Sequence, residues 1–193
     1  PTVADMDGLY IGIMSGTSLD AVDVALVDFH ADRQRLVGAR ATPIPADLRQ
    51  RIADLCQPGD NEIERMGVLD AELGEFYGRC ASELVSELNI APSDIHAIGC
   101  HGQTIRHRPN QPVSFTLQIG DPNRVAAVSG INVVADLRRR DMALGGQGAP
   151  LVPAYHSALF RSPDEDRVVL NLGGIANITL LAANNADAPG FDT

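Results

Sequence analysis

A short apolar run, a turn of small polar residues and a second apolar run occur twice in this sequence, once near each end. The first copy is LYIGIM at 9–14, the turn SGTSLD, and VDVALVDF at 22–29; the second is VVLNL, a Gly-Gly turn and IANITLL. Runs of this length bounded by Gly, Ser and Asp read as strands joined in a β-hairpin. Their recurrence predicts a duplicated architecture in which each half supplies one hairpin.

The sequence between the copies makes a pure meander impossible. LVGARAT at 36–42 adds a third strand, and ADLRQRIADLC at 46–56 then places Leu48, Ile52 and Leu55 on one helical face. Pro58-Gly59 stops that helix, and Asp60 or Asn61 is positioned to cap the next, over about 61–89, with Ile63, Met66, Leu69, Leu73, Phe76, Cys80, Leu84 and Leu88 as its apolar stripe. Further strands are expected at 95–102, 115–120 and 131–136, with a short helix capped by Asp121-Pro122 and another through His156 and Phe160. Helices between strands imply crossovers, hence an α/β sheet. The polar stretch RSPDEDR reads as a surface link, which places a domain boundary between residues 163 and 164.

Composition excludes several functions. All 15 basic residues are arginine and the net charge is −10. Without lysine there is no Walker A loop, and an acidic chain is a poor match for nucleic acid. Cys56, Cys80 and Cys100 form no CxxC pair, so neither a zinc site nor a disulfide framework is indicated. No apolar run reaches the roughly 20 residues of a membrane span. The start, PTVADMDG, has neither the basic nor the apolar region of a signal peptide, which makes the cytoplasm the expected location.

Three stretches concentrate chemistry-bearing side chains. The turn Ser15-Gly16-Thr17-Ser18-Leu19-Asp20 offers backbone amides near a glycine, two hydroxyl donors and a carboxylate, a set suited to phosphate; Asp20 or Asp23 could hold Mg²⁺ through water. The same residues also suit an ordinary polar turn. GCHGQTIRHRP at 99–109 gathers His101, Gln103, Thr104, Arg106 and His107 beyond a buried strand, where α/β sheets usually place ligands. That set suits recognition of a sugar or its carboxylate, or a plain surface loop. DLRRRDMALGGQGAP at 136–150 joins Arg138, Arg139 and Arg140 to a glycine-rich loop, which fits either bidentate anion contacts or a helix start with salt-bridged ends.

Taken in order, MSGTSLDAVD, GCHGQTIRH, QIGDPNRVA, VVADLRRRDMALGGQGAPLVPAYHSALF, LNLGGIANITLL and the terminal GFDT resemble the anhydro-N-acetylmuramic acid kinase family over almost the whole chain. The family belongs to the sugar kinase, Hsp70 and actin superfamily. The resemblance implies an actin-like (ribonuclease H-like) α/β lobe with a mixed sheet and flanking helices over 1–163, and the first hairpin of a second similar lobe over 164–193. It implies a cytoplasmic enzyme that uses ATP and Mg²⁺ to open 1,6-anhydro-N-acetylmuramic acid with water and phosphorylate O6 in cell-wall recycling. Its partners are then small molecules, not nucleic acid or membrane, with a homodimer left open.

By the same resemblance Gly16, Thr17, Ser18, Leu19, Asp20, Ala21, Val22 and Asp23 form the ATP-binding loop, although family members commonly carry glycine where Ala21 stands. Gly173 and Gly174 belong to the second phosphate loop and Asp192 is the general base. His101, Gln103, Thr104, Arg138 and Arg139 line the sugar site, and Asp20 is a metal ligand through water. Family members continue past GFDT into a full second lobe, so the 193 residues alone are expected to be inactive. Two other readings are a kinase of the superfamily acting on a different sugar, and a nucleotide-binding actin-like module without catalysis.

Overall fold

In the computed structural model, which describes residues 7–30, 33–172, 176–185 and 187–192, the alternation of apolar and polar residues in the first hairpin becomes two faces of a sheet. Strand β1 (Gly8–Ser15) pairs antiparallel with β2 (Ala21–His30), and β2 with β3 (Arg33–Pro43). Ile11 and Ile13 stand opposite Leu26 and Val24 in the register, and all four are at most 3% exposed. Their face is covered by helices α1 (Ala46–Leu55) and α2 (Glu62–Glu87). Burying each such aliphatic side chain contributes about 1.5–3 kcal/mol.

The chain then crosses over to β4 (Ile95–Cys100), parallel to β1, and later to β7 (Val133–Val134), parallel to β4. The resulting order β3-β2-β1-β4-β7 is a mixed sheet, as expected for the α/β class. Strands β5 (Gln103–Arg108) and β6 (Phe115–Ile119) form a separate two-stranded ribbon, so part of the stretch expected as a polar loop is extended. Helix α3 (Pro122–Ser129) starts as expected, with the Asp121 carboxylate accepting from the Asn123 amide at 2.8 Å.

Several local expectations need correction. The inward face of α2 carries Tyr77, Ala81 and Val85 beside the expected Leu69, Leu73, Cys80 and Leu84, whereas Ile63 in the first turn is 79% exposed. Asn61 adopts a left-handed backbone and makes no side-chain cap; the Glu62 carboxylate accepts from the Gly59 amide instead. β7 is only two residues long, because Asp136 takes a positive φ and helix α4 (Leu137–Ala143) begins at once. Glycines at 74 and 78 let α2 and α3 approach closely: a β-carbon at Gly74 would stand 2.5 Å from the Asp121 carbonyl oxygen.

The described residues fall into two compact units. One runs through His107 and includes Leu117–Leu137; the other comprises Arg108–Thr116 and the residues from Arg138 onward. The second unit holds α5 (Pro153–Phe160) and the antiparallel strands β8 (Arg167–Leu172), β9 (Ala176–Leu181) and β10 (Gly190–Asp192), in the order β10-β9-β8.

This meander repeats the geometry of the first. Val168, Leu170 and Leu172 stand opposite Leu180, Ile178 and Ala176, just as Ile11, Ile13 and Ser15 stand opposite Leu26, Val24 and Val22. In the first unit that face is the core, but Val168, Leu170 and Leu172 are each more than half exposed. Helix α5 lies against the other face, where His156 Nδ1 is 2.9 Å from the Thr179 hydroxyl.

Candidate active site

The turn joining β1 to β2 is closed by a hydrogen bond from the Leu19 amide to the Gly16 carbonyl at 3.3 Å. Leu19 takes a positive φ of 54°, unusual for a branched side chain, and its side chain is buried in the core. That anchor holds Gly16, Thr17 and Ser18 as a raised arch. Gly16 is not the residue in the left-handed region, so the expectation that its backbone freedom shapes the turn is replaced by Leu19. A β-carbon at Gly16 would meet only the Ser18 hydroxyl, at 3.7 Å; what glycine leaves here is open space beside the arch.

Within the stretch expected to bind ATP, the side chains divide. Thr17, Ser18, Asp20 and Asp23 are exposed, Ala21 is half-buried, and Val22 is fully buried toward the helices. The Ser18 hydroxyl donates to Asp20 Oδ1 at 2.6 Å. That bond, followed by the backbone amides of Asp20 and Ala21, holds the Asp20 carboxyl below the usual carboxylate range, so it is ionised at neutral pH. Gly173 and Gly174 lie outside the described residues.

Beside the arch, a cavity of about 450 Å³ opens on the sheet face away from the helices, lined by Gly12, Met14, Asp23, Gly99 and His101 among others. His101 continues the pairing beyond β4, its amide donating to the Ile13 carbonyl at 3.1 Å, and its Nδ1 is 2.7 Å from the Gly102 carbonyl. His101 and the Gly16–Leu19 turn therefore share one sheet edge.

Gln103 does not face that edge. It is 1% exposed, accepts a hydrogen bond from the Ser15 hydroxyl at 2.5 Å, and donates to the Thr104 carbonyl at 3.3 Å. Thr104 accepts from the Gln118 amide through its hydroxyl. Arg106 is largely buried between the end of α1 and the start of α2, on the Leu55 carbonyl at 2.6 Å and Glu62 at 3.1 Å. Tyr77 closes the same region from α2: it is fully buried, and burial pushes its phenol well up, opposed by the nearby Ser15 hydroxyl.

In the second unit, α4 grips the glycine-rich loop. Arg138 donates to the Gly148 carbonyl at 2.5 Å, and Asp141 accepts from the Gly148 amide at 2.7 Å. Arg139 is exposed. Asp192 ends β10 opposite Asn177, and its side chain lies outside the described residues. Sequence reasoning missed Tyr77, and it placed Ser15 in the turn and Asp141 beside the arginines without their partners Gln103 and Gly148. Strand alternation did carry a signal for Ser15, which shares the inward parity of Ile11 and Ile13.

A family model described as anhydro-N-acetylmuramic acid kinase matches residues 8–193. The chain belongs to that family. Curated anhydro-N-acetylmuramic acid kinases from Shewanella pealeana and Shewanella sp. (strain ANA-3) are 51% and 52% identical over 184 residues. The match covers 95% of this chain and 50% of each relative, so the chain spans about half the length of the curated relatives it matches. Among solved structures, a hexokinase from Schistosoma mansoni complexed with glucose has a TM-score of 0.45 at 12% identity, over 92% of this chain and 36% of that one. The family motifs MSGTSLDAVD and GCHGQTIRH fall on the arch after β1 and on the start of β5, adjoining elements of one unit. No described helix is long and apolar enough to cross a membrane.

Proposed function

We propose that this chain supplies the first phosphate-binding turn and part of the sugar site of an ATP-dependent kinase that opens 1,6-anhydro-N-acetylmuramic acid. Water adds to the anomeric carbon, the bond from that carbon to O6 breaks, and O6 takes the γ-phosphoryl group of ATP. The products are N-acetylmuramic acid 6-phosphate and ADP. The observation that carries this reading is the arch Gly16–Leu19, anchored by buried Leu19 with Thr17 and Ser18 exposed, at the end of β1, where Met14, Asp23 and His101 line a cavity. It supports the family's activity because it presents hydroxyl and amide donors where an anion can approach.

In this reading Thr17, Ser18 and the amides of the arch hold phosphate oxygens, with Gly16 leaving them room. Mg²⁺ would neutralise charge on the phosphates, and Asp20, held ionised by Ser18, would keep it in place through water. Asp192 takes the proton from the attacking water. His101 contacts the sugar directly, and Thr104 supports the start of β5 behind it. Arg139, exposed on α4, meets a carboxylate of the sugar in this reading, whereas Arg138 and Asp141 shape the loop at Gly148. Gly173 and Gly174 open the second phosphate loop, at the start of the second lobe from residue 164. The protein works in the cytoplasm on small molecules.

The test uses a protein of the relatives' full length that carries these residues, with MgATP and the anhydro sugar in H₂¹⁸O. The expected result is a 6-phosphate product with the label at the anomeric carbon and none in the phosphate. Phosphorylation of other sugars in preference, or nucleotide binding without turnover, overturns the assignment. The 193 residues alone should give no turnover, since phosphoryl transfer needs groups positioned around a closed site.

A further inference from the structure

We propose that Ser15 and Gln103 form a buried strut that fixes the phosphate-binding arch relative to the sugar-binding start of β5, so that both are positioning residues. This rests on the function proposed above for the two loops. Ser15 is the last residue of β1 and immediately precedes Gly16; Gln103 is the first residue of β5 and follows His101 and Gly102. They are 88 residues apart in sequence, 2% and 1% exposed, and joined by a hydrogen bond of 2.5 Å.

The surroundings explain why this bond transmits position. The His101 amide is fixed to the Ile13 carbonyl, two residues before Ser15. Gly102 has a φ of 74°, and a β-carbon there would come within 2.8 Å of the Ile119 carbonyl, so the close turn between His101 and Gln103 accommodates only glycine. The Tyr77 ring packs on Gly120 from α2, with its hydroxyl on the Ser15 side of the core.

A polar pair in this place is not needed for stability. Two apolar groups of the same shape are nearly as stable as a buried hydrogen bond, whereas a fully paired polar contact specifies one arrangement. What the pair adds is register between two loops that must present the γ-phosphate and O6 to each other. A misplacement of about 1 Å between reacting groups can lower the rate about 100-fold.

The variants are Ser15→Ala, Gln103→Leu and the pair together, in a protein of the relatives' full length. Each single change should lower kcat by about 10- to 100-fold while KM for ATP and for the sugar moves by less than about 3-fold. The double variant should fall no further than the worse single one. A rise in sugar KM confined to Gln103→Leu would place Gln103 on the substrate and overturn the strut, as would additive losses. Ser15→Ala removes only a hydroxyl, so it keeps the test open should Gln103→Leu fail to fold. A second readout is independent of the reaction: amide hydrogen exchange at residues 16–21 should rise at least about ten-fold in Gln103→Leu and in Ser15→Ala. Faster exchange with no anhydro-sugar turnover by the unmodified protein sinks the assigned reaction and leaves the strut standing. Unchanged exchange sinks the strut whatever the substrate.

Discussion

Gly78 on α2 lies so close to Val128 on α3 that a β-carbon at Gly78 would stand 2.7 Å from the Val128 β-carbon. One turn earlier Gly74 meets the Asp121 carbonyl, while Gly67 on the same helix has nothing within 4 Å. Alanine in a helix is favoured over glycine by about 1 kcal/mol, and overpacking costs about 1–3 kcal/mol. Gly67→Ala should therefore raise stability by about 0.5–1 kcal/mol, whereas Gly74→Ala should lower it by about 1–3 kcal/mol. Urea unfolding of the two variants checks the opposite signs.

The arch depends on Leu19 rather than on backbone freedom at Gly16. Gly16→Ala should change unfolding free energy by no more than about 0.5 kcal/mol. In the full-length context it should weaken MgATP binding, measured by calorimetry, because the methyl group occupies the space beside the arch. Leu19→Ala keeps the positive φ and empties a core site, and should cost about 2–5 kcal/mol. A large stability loss at Gly16→Ala would return the conformational role to glycine.

Burial pushes the Cys100 thiol up to about 11, opposed by the Gly102 backbone. A thiol unfolds to an ordinary value near 9. Between these values the native state holds the proton that the unfolded state has lost, so stability falls as pH rises through this window. The contribution is complete below about pH 9 and lost above about pH 11. Its size is of order 3 kcal/mol for two pKa units. Denaturant unfolding at pH 8 and pH 10.5 should show the decline, and Cys100→Ala should make it shallower, the buried Cys80 and Tyr77 supplying the remainder. Burial also raises the Cys56 and Cys80 thiols, so all three should react slowly with iodoacetamide at pH 7.5.

Asp192→Asn tests the base. The amide retains size but cannot accept the proton from water, so kcat should fall by about 10²–10⁴-fold in the full-length context, with little change in ATP or sugar binding. Pre-steady-state turnover with calorimetry of both ligands separates that outcome. Loss of ATP binding instead would move Asp192 to the nucleotide.

The local pattern of residues was enough to read the two hairpins and the helix boundaries at 46 and 122. Each depends on neighbours in sequence: alternation along a strand, a 3.6-residue stripe, an Asp-Pro start. The family motifs extended that reading to the anhydro-N-acetylmuramic acid kinase family, because they are long and ordered along the chain. Other features were decided only by folding. Gln103 reads as a ligand contact in GCHGQT, yet β5 turns it into the core, where Ser15 waits from a strand 88 residues earlier. Arg106 reads as a site cation and instead ties α1 to α2. Tyr77 was hidden within the stripe of α2, and Arg138 and Asp141 acquire their shared partner only when the loop returns to Gly148. Sequence neighbours set which face a side chain takes; which distant group meets it there depends on how crossovers and turns bring separate strands together.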